Sequence, residues 1–205
     1  MNTEENVAKS SLISLSNGAI YEDHIFTEII LPESAKIAEA EFSGCTFLNC
    51  KFFKAIFFDC RFENCTFQNC DLSSLSIKYT IFNEVHFNES KLMGIQWPDA
   101  GIPLDVNFRN CFLNYSSFIG VNLKNAELSN CQLKEVDFTE TNLSKANCRF
   151  SDFTGARFLN TNLEYTDLSN ATNYAIHPDG NKLRKTIFSL PEAMTLLKVY
   201  DIIIK

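Results

Sequence analysis

The sequence predicts an all-β solenoid of square cross-section, and two observations carry the prediction. Apolar residues, most of them large, recur at every fifth position from Ile37 to Trp97 and again from Phe108 to Leu168. A second register, two residues before each of these, holds mostly small or β-branched residues. A period of five fits neither a helix with 3.6 residues per turn nor a simple strand with a period of two.

A period of five is explained if each pentapeptide forms one side of a square and both marked positions point inward. Four sides then close a coil of 20 residues, and residues 20 apart stack at the spacing of adjacent strands, about 4.8 Å. We therefore expect inward ladders of like side chains. The stacks would include Phe42 with Phe62 and Phe82, Phe47 with Phe67 and Phe87, and Cys45 with Cys65.

The repeat units resemble the A(D/N)LXX motif of the pentapeptide-repeat family, in particular its quinolone-resistance branch without long loops. Examples are Ala146-Asn147-Cys148, Ala156-Arg157-Phe158, Thr166-Asp167-Leu168 and Cys45-Thr46-Phe47. The resemblance implies a right-handed quadrilateral β-helix over residues 35–173. The first half prefers Phe and Cys to Leu and Ala, so its turn types can differ from the commonest form.

The elements follow in order along the chain. Residues 1–34 form an N-terminal capping segment, because a solenoid end exposes unpaired backbone. We expect this segment to cover outward apolar residues of the first coils, the alternative being that they bind a partner. An irregular turn at 98–105 keeps Ile102 as an inward residue, with Ala100 two before it and one bulged residue before Phe108. The outward apolar residues are Leu48, Phe53, Ile56 and Phe58.

Residues 174–205 form a C-terminal cap. Ser189-Leu190-Pro191-Glu192 is a capping-box signature that predicts a short α-helix from about Leu190 to Tyr200. Leu190, Met194, Leu197 and Tyr200 share one face of that helix. The resemblance implies a homodimer joined end to end through this helix, and the alternative is a monomer in which the helix only caps the last coil.

Composition and motifs exclude several classes of function. With 205 residues the chain makes one domain, and its net charge of −7 argues against direct nucleic-acid binding. Neither a signal peptide nor a membrane-spanning run is visible, so we expect a cytoplasmic protein. The eight cysteines follow the repeat and are expected to be buried free thiols rather than metal ligands. Catalytic and cofactor-binding motifs are missing, so we expect no enzyme, cofactor or metal.

Binding by the outer faces is the function that remains. The resemblance implies a DNA mimic that binds DNA gyrase or topoisomerase IV and protects it from quinolones. Sorting charges by side gives one acidic face of net charge −3, while the other sides are near −1 or +1. The alternative is an interaction scaffold with no effect on topoisomerases. The carboxylates of the candidate face are Glu39, Asp59, Asp99, Asp137 and Glu140.

Overall fold

The computed structural model describes residues 15–200 and residue 202. The chain winds into a right-handed quadrilateral β-solenoid of about eight turns, as predicted. Within residues 15–200 the helical segments are 3-10 helices at Trp97–Asp99, Pro178–Gly180 and Glu192–Tyr200. The strands are β1 (Ile20–Glu22), β2 (Ile25–Thr27), β3 (Lys36–Ala38), β4 (Glu41–Ser43), β5 (Thr46–Leu48), β6 (Ile56–Phe58), β7 (Arg61–Glu63), β8 (Thr66–Gln68), β9 (Ile81–Asn88), β10 (Leu104–Arg109), β11 (Leu128–Ser129), β12 (Asp167–Leu168) and β13 (Ile187–Phe188).

Strands pair in parallel with the strand one coil further along the chain. Phe42 of β4 lies beside Phe62 of β7, and Phe47 of β5 lies beside Phe67 of β8. Between such coils the backbone is bonded directly: the amide of Thr66 donates to the carbonyl oxygen of Cys45 at 2.9 Å. Residues 20 apart therefore occupy the same place in successive coils, which confirms the predicted stacking.

Corners are formed by residues in the left-handed backbone conformation, two positions after the large inward residue. Asp59, Asn64 and Glu140 have φ values of 53°, 51° and 58°. This conformation costs L-residues energy, and least for Asn and Asp. The corner amide offsets part of that cost by bonding to the next coil, as Asn64 does by donating to the carbonyl oxygen of Asn83 at 3.0 Å. Corner side chains point outward, so each corner presents a column of side chains to solvent.

The two halves of the solenoid differ in their turns, as the change in composition suggests. Three-residue strands predominate among the Phe-rich coils, whereas isolated bridges such as that between Asn122 and Asn142 predominate later. The later sides end in turns closed by a hydrogen bond between residues three apart, for example from the amide of Ala146 to the carbonyl oxygen of Leu143 at 2.9 Å.

The interior is filled by stacked rings. Phe42 and Phe62 have ring centroids 4.6 Å apart with planes inclined by 5°, and Phe47 and Phe67 stack at 4.5 Å and 5°. Trp97 begins another column, 5.5 Å from the next ring, Phe118. The predicted columns are thus present and leave no open channel along the axis where these rings are stacked.

The N-terminal segment is a coil of the solenoid rather than a separate cap. β1 pairs with β4, placing Tyr21 beside Phe42, and β2 pairs with β5, placing Phe26 beside Phe47. The offset is 21 residues, because one extra residue lies in the turn in which the amide of Ala35 bonds to the carbonyl oxygen of Pro32. At this turn the spacing between successive inward residues is therefore six instead of five, which hides the register of the first coil in the sequence. Residues 1–14 of the predicted cap lie outside the described residues.

The irregular turn is present at 98–105, but Ile102 is not an inward residue. Its side chain is 90% exposed, and Leu104 takes the position beside Phe82. Gly101 passes so close to the coil below that a Cβ atom would lie 2.8 Å from the carbonyl oxygen of Tyr79. Pro103 has no amide hydrogen to donate to a neighbouring coil. Regular pairing resumes at Val106, so the turn displaces Ile102 outward.

At the C-terminal end the coils continue past the predicted limit of residue 173. Leu168 of β12 lies beside Phe188 of β13, which makes Phe188 part of the last coil. The helix that follows is of the 3-10 type, not an α-helix, and spans Glu192–Tyr200. Ser189 does not cap it, because its Oγ accepts a hydrogen bond from the backbone amide of Asn170 at 3.1 Å.

Candidate binding surface

Four of the five predicted carboxylates lie in one corner column. The amide of Glu39 donates to the carbonyl oxygen of Phe58, and the amide of Asp59 donates to that of Lys78, as expected for successive coils. All four side chains are exposed. The column reads Gly18, Glu39, Asp59, Tyr79, Asp99, Gly120, Glu140 and Asn160.

Asp137 does not belong to this column. It lies on the flat part of the side, bridged to Ser117 and Arg157. Its Oδ2 is 3.9 Å from Nε of Arg157, and its side chain is 27% exposed. Because a neighbouring cation already balances its charge, Asp137 contributes little to an acidic surface.

The structure places a second set of carboxylates beside the first. The side that follows the corner column in the chain begins at Tyr21 and continues through Phe42, Phe62, Phe82 and Leu104. We call the two sets together the acidic strip. Among the described residues Arg61 lies within this strip and Lys78 lies beside it. The carboxylates of the strip are Glu22, Asp23, Glu39, Glu41, Asp59, Glu63, Glu84, Asp99 and Asp105.

The acidic strip has a high density of uncompensated charge. Its nine carboxylates and Arg61 give a net charge of −8, and within the described part of the chain none of these carboxylates forms a salt bridge. The strip spans four strand spacings, roughly 19 Å. That is about one net charge per 2.4 Å, against one per about 1.7 Å of duplex DNA.

The side that begins at Tyr21 becomes basic further along the solenoid axis. Its first five coils have a net charge of −5, whereas its later coils have +4, so the whole side sums to −1. A charge count over whole sides therefore hides the strip. The later coils carry Lys124, Lys145, Lys182, Arg184 and Lys185 against Glu164, whose Oε1 is 2.9 Å from Nε of Arg184.

The outward apolar residues of the first coils are covered by their neighbours to different degrees. Phe53 stays 39% exposed beneath the ammonium group of Lys54. Phe58 is half-buried under the ammonium group of Lys36, which is 4.3 Å from the ring centroid. Ile56 is likewise half-buried, and Leu48 lies beside Thr27 of β2. Residues 15–34 form the coil underneath instead of a layer over these side chains.

All eight cysteines are buried free thiols. Burial raises the pKa of the Cys111 thiol to about 11 and also raises the pKa of Cys60, Cys131 and Cys148. In the part of the chain that the structure describes, no group of three or more His, Cys, Asp or Glu side chains is placed to hold a metal ion. These thiols therefore lie in the core of the solenoid.

The predicted dimer residues lie on or directly before the last helix. With three residues per turn, Met194, Leu197 and Tyr200 share one face of a 3-10 helix. Leu197 and Tyr200 are exposed and Met194 is half-buried, while Leu196 packs against the core. Leu190 precedes the helix and is also exposed.

Of the helices within residues 15–200, none has the length and apolar character needed to cross a membrane.

Comparisons with known proteins agree with the repeat. A family model described as the pentapeptide repeat region matches residues 40–103 and 104–168. The structure of QnrB1, a plasmid-mediated fluoroquinolone resistance protein, is similar with a TM-score of 0.65 and 17% identity, covering 90% of this chain and 98% of that one. A trypsin-treated form of QnrB1 gives a TM-score of 0.55 and 20% identity over 94% of each chain. At these identities the likeness shows the fold. None of the curated protein sequences matches.

Proposed function

The chain belongs to the pentapeptide-repeat family, and on that premise we propose that it is a non-enzymatic binding protein that mimics DNA. Its partner would be a bacterial type II topoisomerase, DNA gyrase or topoisomerase IV, which it would protect from quinolones. This function requires a cytoplasmic protein, since these enzymes act on chromosomal DNA.

The acidic strip is the observation that carries this proposal. A surface that occupies a DNA-binding site must offer closely spaced anions to the Lys and Arg side chains that otherwise contact phosphates. Within residues 15–200, carboxylates such as Glu41, Glu63 and Glu84 form no salt bridge, so they are available to bind the cations of a partner. The basic later coils limit the mimic to the N-terminal half of the solenoid.

A binding role also fits the filled interior. The inward residues of the described coils are buried against one another, so side chains fill the interior of the solenoid there and the clefts lie on its outer surface. Enzymes need concave sites that exclude water around reacting groups. The fluoroquinolone resistance of the similar QnrB1 supports the choice of a topoisomerase as partner.

Supercoiling by purified gyrase, titrated with this protein with and without a fluoroquinolone, tests the proposal. We expect the protein to restore supercoiling in the presence of the drug, because it displaces DNA from the drug-sensitive complex. Changing Asp59, Glu63 and Glu84 together to Lys should raise the concentration for half effect at least tenfold.

The matched control reverses three corner carboxylates on other sides, Glu28, Glu89 and Glu135, which alters net charge equally. This variant should stay within twofold of the wild type. If the wild type has no effect at micromolar concentration, the DNA mimic is wrong and the scaffold alternative stands. If both triple variants lose the effect alike, net charge rather than the strip is responsible.

We further propose that two copies join end to end through Met194, Leu197 and Tyr200, with Leu190 at the edge of the contact. An exposed apolar face at the end of a solenoid is favourable to bury. Light scattering should give a mass of twice 23.3 kDa for the wild type and 23.3 kDa for Leu197→Asp. The control Ile30→Asp, at an exposed position on the first coil, should remain a dimer. A wild type that is monomeric at high concentration would mean that the helix only caps.

A further inference from the structure

The interrupted repeat creates an apolar groove at one corner of the solenoid. We call it the corner groove. It is a cavity of about 440 Å³, located where the acidic corner column passes the irregular turn. Its lining residues include Trp97, Pro98, Ile102, Leu104, Ile119 and Gly120.

The groove is open because Ile102 is displaced from the core and the neighbouring corner position holds a glycine. Ile102, displaced from the core, stands 90% exposed on one wall, and Ile119 is 44% exposed on the other. Gly120 takes the corner position, and a Cβ atom built there would meet nothing within 4 Å. Leaving Ile102 in water forgoes the favourable free energy of burying a large aliphatic side chain. A ligand that covered it would recover part of that free energy.

Three carboxylates lie close to residues that line the groove. In the corner column Asp99 lies one coil before Gly120 and Glu140 one coil after it, which places their positions roughly 10 Å apart at the strand spacing. Asp105 follows Leu104 on the adjoining side. Within residues 15–200 none of these three forms a salt bridge. The nearby cations are Lys124 and Lys78, and the ammonium group of Lys78 lies 5.1 Å from the ring centroid of Tyr79.

We propose that the corner groove binds a basic segment of a protein partner, which inserts an apolar side chain over Gly120 and pairs its cations with Asp99 and Glu140. The charge of the rim selects Lys and Arg, and the walls formed by Ile102 and Ile119 select an aliphatic or aromatic side chain. Nucleic acid satisfies neither requirement. The inference shares with the proposed function only the need for a protein partner and does not depend on a topoisomerase.

The corner column itself supplies the variants for the test. Gly120→Tyr places a large side chain at the edge of the groove, where it should obstruct access, and tyrosine already occupies this column at Tyr79, with a φ of 62°. Gly18→Tyr is the matched control, because Gly18 lies in the same column, has a φ of 64° and is equally open. Ile102→Ser removes one wall without touching the core, so it reports on the groove even if Gly120→Tyr lowers stability.

The probe is a fluorescein-labelled peptide, Lys-Arg-Lys-Leu-Phe-Lys-Arg-Lys, whose binding is followed by fluorescence anisotropy. We expect Gly120→Tyr and Ile102→Ser each to weaken binding at least fivefold, and Gly18→Tyr to change it by less than twofold. Replacing Leu-Phe in the peptide by Ser-Ser should weaken binding to the wild type to a similar degree.

Equal binding of the Ser-Ser peptide would overturn the proposal, since the contact would then be electrostatic only. No binding of the original peptide, or equal losses in Gly18→Tyr and Gly120→Tyr, would overturn it as well. Because the assay contains no topoisomerase, its outcome is independent of the supercoiling experiment.

Discussion

At the scale of single residues, the small inward register selects side chains that donate a hydrogen bond in a narrow space. Cys111 Sγ donates to the carbonyl oxygen of Phe87 at 3.2 Å, and Ser116 Oγ donates to that of Leu92 at 2.9 Å. Thr141 Oγ1 makes the same bond to Phe118 at 2.7 Å. Cys, Ser and Thr are therefore interchangeable here in hydrogen bonding, and the excess of cysteine reflects packing.

Cys111→Ser tests this equivalence. The serine should retain the bond to Phe87 and fold normally, but it has no thiol to ionise. Burial raises the folded-state pKa of Cys111 to about 11 from a usual value near 9. As pH rises, the Cys111 thiol therefore ionises in the unfolded chain before it ionises in the folded protein. The stability that the neutral thiol contributes is present below pH 9 and is lost as pH rises to 11.

Urea unfolding at several pH values measures the effect. Between pH 8 and 11 the free energy of unfolding should fall by roughly 2–3 kcal/mol more in the wild type than in Cys111→Ser. Parallel pH profiles for the two proteins would contradict the raised pKa.

Ile102 is a residue whose position the sequence pattern predicts wrongly. Counting apolar residues assigns it inward, because it is apolar and five after Trp97. The signal that corrects this assignment lies in its neighbours: Gly101 allows close approach to Tyr79, and Pro103 cannot donate to the coil below. Both were visible in the sequence, but their effect depends on the distance between coils.

At the scale of elements, strands of three residues are held mainly by the ring columns behind them. Phe62 of β7 is fully buried and stacks on Phe42 and Phe82, with ring centroids 4.6 and 5.3 Å away. An isolated strand of this length has too few hydrogen bonds to be stable, so the column supplies much of the stabilisation.

Phe62→Ala should therefore lower the free energy of unfolding by about 3–5 kcal/mol, through the cavity that it leaves. The control Phe53→Ala, at an outward position, should cost less than about 1 kcal/mol. Chemical unfolding followed by circular dichroism measures both. Similar losses in the two variants would mean that the rings contribute little beyond covering the backbone.

The C-terminal helix shows a different limit. The capping box of Ser189 predicts its start, yet the Oγ of Ser189 is taken by the amide of Asn170 in the preceding coil. A local motif cannot reveal that competition, because the competing donor is 19 residues away and is brought close only by the coil. The position of the helix was predictable, but its 3-10 type was not.

At the scale of the whole molecule, the period of five predicts the architecture and the side on which most residues lie. It predicts Glu39, Asp59, Asp99 and Glu140 in one column, but it misses the acidic strip. That strip becomes visible only when each side is divided along the axis, and its first members, Glu22 and Asp23, belong to a coil whose register the extra residue before Ala35 hides.

The coil of four equal sides also makes the molecule sensitive to the length of insertions. Adding one pentapeptide would turn every later residue a quarter of the way round the axis, and adding two would carry it to the opposite side. Only a change of about 20 residues, or a single extra residue taken up at a corner as before Ala35, leaves the later residues facing the same way. Each added pentapeptide therefore rotates the basic half relative to the acidic half by a quarter turn about the axis.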